Sequence, residues 1–85
     1  MTTKKDIEAL LNLLVDRYGS RDLQRVSDEL ELMGVEPGPT IEAAHAKGFV
    51  LSNPDDWGVK LILTYKGLYM TGRPYPDYLV LPGEK

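Results

Sequence analysis

The chain has 85 residues, of which 42% are hydrophobic and 27% charged, a composition typical of one small globular domain. It contains no cysteine, which excludes disulfides and thiolate metal sites, and no apolar run approaches the roughly 18 residues that a membrane span requires. The polar segment Met1–Asp6 is not followed by the apolar stretch of a secretion signal, so the sequence predicts a cytoplasmic protein.

The net charge of −3 is unevenly distributed. Residues 27–56 contain seven acids and a single base, Lys47, which gives this segment a net charge of −6. Such a block favours basic partners and repels the phosphates of nucleic acids. The chain before this segment carries five bases. Gly19 interrupts the helical spacing of the three arginines among them, so we interpret the five as part of a solvated surface. These bases are Lys4, Lys5, Arg17, Arg21 and Arg25.

Three helices are predicted in the first half of the chain from apolar periodicity and terminal signals. Thr3, with Asp6 three residues later, is a suitable N-cap for the first, and Ser20 for the second. A proline-rich turn over 35–39 precedes the third helix, with Pro39 as its first residue. Each helix is followed by a glycine, at Gly19, Gly34 and Gly48. The predicted bounds are 4–18, 21–33 and 39–47.

After the third helix the apolar pattern becomes extended. Residues 49–52 and 59–63 predict two strands that are joined into a hairpin by a polar loop over 52–56. Thr64 is a suitable N-cap for a short last helix, which Gly72 ends.

The two ends of this hairpin resemble motifs of the winged-helix superfamily. Ala46–Val50 (AKGFV) resembles the step that ends the recognition helix of many bacterial winged-helix regulators, and Leu63–Gly67 (LTYKG) resembles the step that leaves their wing. The likeness covers about residues 5–71 in element order and includes MarR-like regulators and small phage-type proteins. It implies an α+β fold, a winged helix-turn-helix with three helices, a two-stranded β-hairpin wing and a short C-terminal helix. The domain would span 1–72, with residues 73–85 as a proline-punctuated tail.

The resemblance implies that a partner binds the third helix and the hairpin loop. The candidate partner-binding residues are Thr40, Glu42, His45, Lys47, Asp55, Asp56 and Trp57. Both regions differ in sequence from those of DNA-binding winged-helix proteins. The wing lacks the arginine that MarR-like wings usually carry, and the helix lacks the several Arg, Lys, Asn or Gln residues that contact bases. Trp57 either closes the hairpin over Phe49 or the third helix, or is an exposed anchor of a protein interface.

No catalytic or metal site is predicted. His45 is the only histidine and has no cysteine or second histidine to share a metal with. Asp55 and Asp56 are adjacent loop carboxylates, which would point apart into solvent, and none of the serines has a suitable base. The sequence therefore predicts a protein that is not an enzyme and needs no cofactor.

The tail is too apolar for a free terminus. We expect it either to dock on the domain's own core, as a third strand or a strap, or to pair with a second copy of the chain. The candidate residues for self-association are Tyr75, Tyr78, Leu79 and Leu81, with Val80 between them.

Two functions remain open. The favoured one is a protein-interaction module of regulatory or inhibitor type, whose acidic face of third helix and wing binds a protein with a basic surface. The alternative is a transcriptional regulator that binds duplex DNA through the winged helix-turn-helix.

Overall fold

The computed structural model describes residues 3–56 and 58–73. The elements are α1 (Lys4–Asp16), β1 (Ser20–Asp22), α2 (Leu23–Leu32), α3 (Pro37–Ala46), β2 (Val50–Asp55), β3 (Gly58–Leu63) and α4 (Tyr65–Thr71). The strands form an antiparallel sheet in the order β1-β3-β2. This α+β fold of four helices and a three-stranded sheet is compatible with a winged helix.

Helix α1 begins as predicted and ends earlier than predicted. The Thr3 hydroxyl accepts a hydrogen bond from the Asp6 amide at 3.2 Å, and the Asp6 carboxylate accepts one from the Thr3 amide at 3.2 Å. At the other end Tyr18 takes a left-handed conformation (φ 61°), and the Gly19 amide donates to the Leu14 carbonyl at 2.7 Å. The helix stops at Asp16 because the left-handed conformation already begins at Tyr18, one residue before Gly19.

Residues 20–22 form strand β1, where the sequence predicted the start of the second helix. Ser20 pairs with Ile62 and Asp22 with Lys60, so β1 adds a third strand, which was not predicted, to the two strands of the hairpin. Asp22 takes the N-cap position of α2 without a capping side-chain hydrogen bond, so the predicted cap at Ser20 is also wrong. A strand of three residues is too short to produce a periodicity in sequence.

Helix α3 begins at Pro37, two residues before the predicted start at Pro39. Both prolines fit the first turn, since the first four backbone N–H groups of a helix have no partner within it. Its end is as expected within one residue, with Gly48 left-handed at φ 77°. Thr64 and Gly72 likewise take the predicted positions at the two ends of α4.

The hairpin strands are longer than predicted. β2 and β3 pair from Val50 opposite Leu63 to Asp55 opposite Gly58, so most of the predicted polar loop belongs to β2. Val50 is the only buried residue of β2, and β3 buries Leu61 and Leu63, so the closed end of the hairpin lies outside the core.

The core is formed mainly by one face of α1, on which α2, α3, α4 and the sheet pack. The buried apolar side chains are Ile7, Leu10, Leu11, Leu13, Leu14, Val15, Val26, Leu30, Ala44, Phe49, Val50, Leu61, Leu63 and Leu68.

Candidate interaction surfaces

A groove with a mainly apolar floor lies between α2 and α3. It encloses about 470 Å³ and is lined by Leu23, Ser27, Gly38, Ile41, Glu42, His45 and Ala46. Leu23 and Ile41 are only partly buried against the core, so they supply apolar surface to the groove from both helices. We call this surface the α2–α3 groove.

One carboxylate lines the α2–α3 groove, and two more are exposed on α2 within four residues of Ser27. Glu42 lines it from α3. On α2, Glu31 stands one turn after Ser27, and Asp28 lies beside it on the exposed side of the helix. These three acids form no ion pair within the described residues, and Asp28 accepts a hydrogen bond from the Gln24 amide group at 3.1 Å. We call Glu42 and these two nearby acids of α2 the negative rim of the groove.

The residues predicted on the third helix divide between core and surface. Glu42, His45 and Lys47 are exposed, and the first two line the α2–α3 groove. Thr40 is fully buried, which corrects its placement on the binding face. It lies one helical turn before the buried Ala44, so its side chain faces the core, and its hydroxyl has no hydrogen-bond partner among the described residues.

The acids predicted on the wing lie at the closed end of the hairpin. Asp55 and Asp56 are exposed and are not among the residues that line the α2–α3 groove. Along β2, Asp55 is about 16 Å from the buried Val50, at roughly 3.3 Å per residue. Trp57 and the tail residues Tyr75, Tyr78, Leu79 and Leu81 lie outside the described residues.

Four basic residues converge on a second surface, which we call the basic depression. It encloses about 480 Å³ and is lined by Arg17, Ser20, Arg21, Asp22, Arg25 and Lys60. The sequence pattern predicted no shared face for the three arginines. They meet because the chain reverses at Gly19 and enters β1, which carries Arg21 back beside the start of α2.

Two of these arginines share one carboxylate. Arg17 donates to Glu29 at 2.8 Å and Arg21 donates to the other oxygen at 2.7 Å. The hydrogen bond from Arg17, helped by that from Arg21, lowers the pKa of Glu29 below its ordinary value, while partial desolvation acts against it. The same contact raises the pKa of Arg17. Arg25 and Lys60 have no ion pair within the described part of the chain.

A third surface was not predicted from the sequence. It is a groove of about 560 Å³ between α1 and α2, lined by Ala9, Asn12, Leu13, Asp16, Arg17, Glu29, Leu32 and Met33. Leu32 is 88% exposed and Met33 51%. The sequence feature that could have indicated this surface is Leu32, an apolar residue outside the buried stripe of α2 formed by Val26 and Leu30. We call this surface the α1–α2 groove.

Other site types are not found in the described residues. Across 3–56 and 58–73, no three His, Asp or Glu side chains lie close enough together to hold a metal ion. No helix in these same ranges has the length and apolar character needed to cross a membrane. None of the protein-family models, curated proteins and solved structures compared with the chain matches it.

Proposed function

We propose that the protein is a non-catalytic binding module of winged-helix type, and that its α2–α3 groove binds a basic surface or segment of a protein partner. The observation that carries the proposal is the apolar floor of the groove with Glu42 in its lining, next to the exposed acids Asp28 and Glu31 of α2. An apolar centre within a charged rim is the usual anatomy of a specific protein interface.

The charge of the rim determines the kind of partner. Opposite charges at an interface raise the association rate and exclude wrong partners, whereas the apolar centre supplies the contact area. The exposed acids Asp55 and Asp56 at the hairpin end extend the preference for a basic partner to a second part of the surface.

The winged-helix part of the proposal is supported by the order of helices and hairpin and by the contact between its two motifs. The hydroxyl of Thr64, in the second motif, donates to the carbonyl of Gly48, in the first, at 2.7 Å. The composition of α3 favours a protein partner over DNA, since residues 37–46 contain no Arg, Lys, Asn or Gln.

The test is a binding titration with a fluorescent amphipathic peptide made of lysine and leucine. Glu42→Gln removes one charge from the rim, and Glu8→Gln removes one from α1, outside the α2–α3 groove. We expect Glu42→Gln to weaken binding several-fold and to reduce its salt dependence, mainly through a slower association. Glu8→Gln should bind as the wild type does. Equal weakening by both variants would show that only the total charge matters and would contradict the proposal.

The basic depression supports a second candidate function, binding of duplex DNA by a transcriptional regulator. Arg25 and Lys60 are exposed there beside the Arg17–Glu29–Arg21 ion pairs, and phosphate contacts supply much of the affinity of protein–DNA complexes. The basic depression does not include α3. DNA bound there would contact the start of α2 and β3, and no helix would contact the bases as a recognition helix usually does.

A further inference from the structure

The function proposed above concerns the α2–α3 groove and gives no role to the apolar surface of the α1–α2 groove. Ala9 and Leu13 line it from α1, and Leu32 and Met33 from the end of α2. Leu32 and Met33 are among the few large apolar side chains of the described residues that are more than half exposed. Contiguous exposed apolar surface commonly marks a docking site.

The side chain of Arg73, the last described residue, contacts two residues that line this groove. The Arg73 guanidinium donates to the carboxylate of Asp16 at 3.0 Å and, at 3.4 Å, to the side-chain oxygen of Asn12. Asp16 and Asn12 both line the α1–α2 groove. The guanidinium of Arg73 therefore reaches the edge of the groove.

The sequence after this point has the composition and length to cover the groove. Residues 75–81 (YPDYLVL) contain five apolar or aromatic side chains in seven positions, and prolines 74, 76 and 82 favour an extended chain over a helix. Eight residues from 74 to 81 can span up to about 26 Å, whereas packed helices lie only about 8–10 Å apart.

We propose that residues 75–81 dock in the α1–α2 groove of the same chain as an extended strap. A second copy could offer the same segment, but a short tether holds the chain's own segment at an effective concentration of about the millimolar range. The strap would place its leucines against Leu32 and Met33 and leave the α2–α3 groove open to a partner.

Paramagnetic broadening in NMR spectra tests the proposal on the full chain. The sequence has no cysteine, so Gly83→Cys gives a unique attachment point for a nitroxide label. We expect the label to broaden the amide signals of Ala9, Leu13 and Met33 and to leave that of Asn53, on the hairpin, unaffected. Absence of broadening at the groove would overturn the proposal.

One control shows whether the tail that occupies the groove belongs to the same chain, and a second shows whether it docks at Leu32. In a mixture of labelled ¹⁴N chain and unlabelled ¹⁵N chain the groove signals should stay sharp, and broadening there would instead assign the groove to a second copy. Leu32→Ser should abolish the broadening, while Leu51→Ser, the same change at an exposed leucine of β2, should leave it intact. Loss of broadening in both variants, or in neither, would contradict docking at Leu32.

Discussion

The hydroxyl of Thr64 donates a hydrogen bond to the carbonyl of Gly48 at 2.7 Å and so joins two segments sixteen residues apart. The same oxygen accepts the amide of Gly67 at 3.1 Å, and the Thr64 amide donates to the Phe49 carbonyl at 3.0 Å. The end of α3, the end of the hairpin and the start of α4 thus meet at one side chain. The two motifs that resemble winged-helix steps are parts of this single junction.

Thr64→Val should therefore destabilise the protein. The substitution removes an N-cap acceptor and leaves the Gly48 carbonyl without its side-chain donor, for a loss of about 1–3 kcal/mol in the free energy of unfolding. Urea unfolding measures this loss, and Thr64→Ser, which keeps the hydroxyl, is the control. A valine variant as stable as the serine variant would show that the hydroxyl contributes nothing.

Gly67→Ala should be more damaging than an alanine elsewhere in a helix. A Cβ at position 67 would overlap the Phe49 carbonyl oxygen and lie 2.8 Å from a methyl carbon of Leu63. We expect a loss of about 1–3 kcal/mol in thermal or urea unfolding, the usual range for overpacking. Gly38→Ala in α3 meets nothing within 4 Å and should be neutral or stabilising by up to about 1 kcal/mol. Similar stabilities for the two variants would contradict the close approach at Gly67.

The ion pairs of Glu29 should make stability depend on pH in the acid range. Because Arg17 and Arg21 lower the pKa of this carboxyl in the folded state, its stabilisation is complete above the ordinary value of 4.5. It is lost as the pH falls through the lowered pKa. The wild type should exceed Glu29→Gln in stability at pH 7, and the difference should shrink towards pH 3. A difference that stays constant over this range would disprove the coupling.

Sequence patterns predicted those parts of the fold that depend on local interactions. The cap formed by Thr3 and Asp6 and the left-handed glycines after α2 and α3 require residues only a few positions apart, and the hairpin pairs two segments that follow each other in the chain. β1 could not be predicted in the same way, because three residues become a strand only through pairing with residues 60–62. Because β1 occupies residues 20–22, α2 begins at Leu23 and not at the predicted residue 21.

The candidate surfaces were predicted less well than the fold, because they depend on how helices pack. Glu42 and His45 could be assigned to an exposed helix face from sequence, but Thr40 required the orientation of α3 on the core. Arg17 and Arg21 become neighbours only through the reversal at Gly19 and their common partner Glu29.

Duplex DNA should bind weakly. The exposed part of α3 carries Glu42, so we expect affinity no better than roughly micromolar to millimolar at physiological salt, the range of non-specific binding. Arg25→Gln and Lys60→Gln should each reduce this residual affinity and its salt dependence. Fluorescence anisotropy with a labelled duplex measures both quantities, and tight, sequence-selective binding would promote the DNA regulator to the favoured function.

Chemical-shift mapping with the lysine–leucine peptide and with a DNA duplex, on the same ¹⁵N-labelled protein, tests the central claim most directly. We expect the peptide to shift the amide signals of Ile41, Glu42 and His45 in the α2–α3 groove. DNA should shift only the signals around Arg25 and Lys60. Large shifts of the α3 signals with DNA, together with none on addition of the peptide, would contradict it.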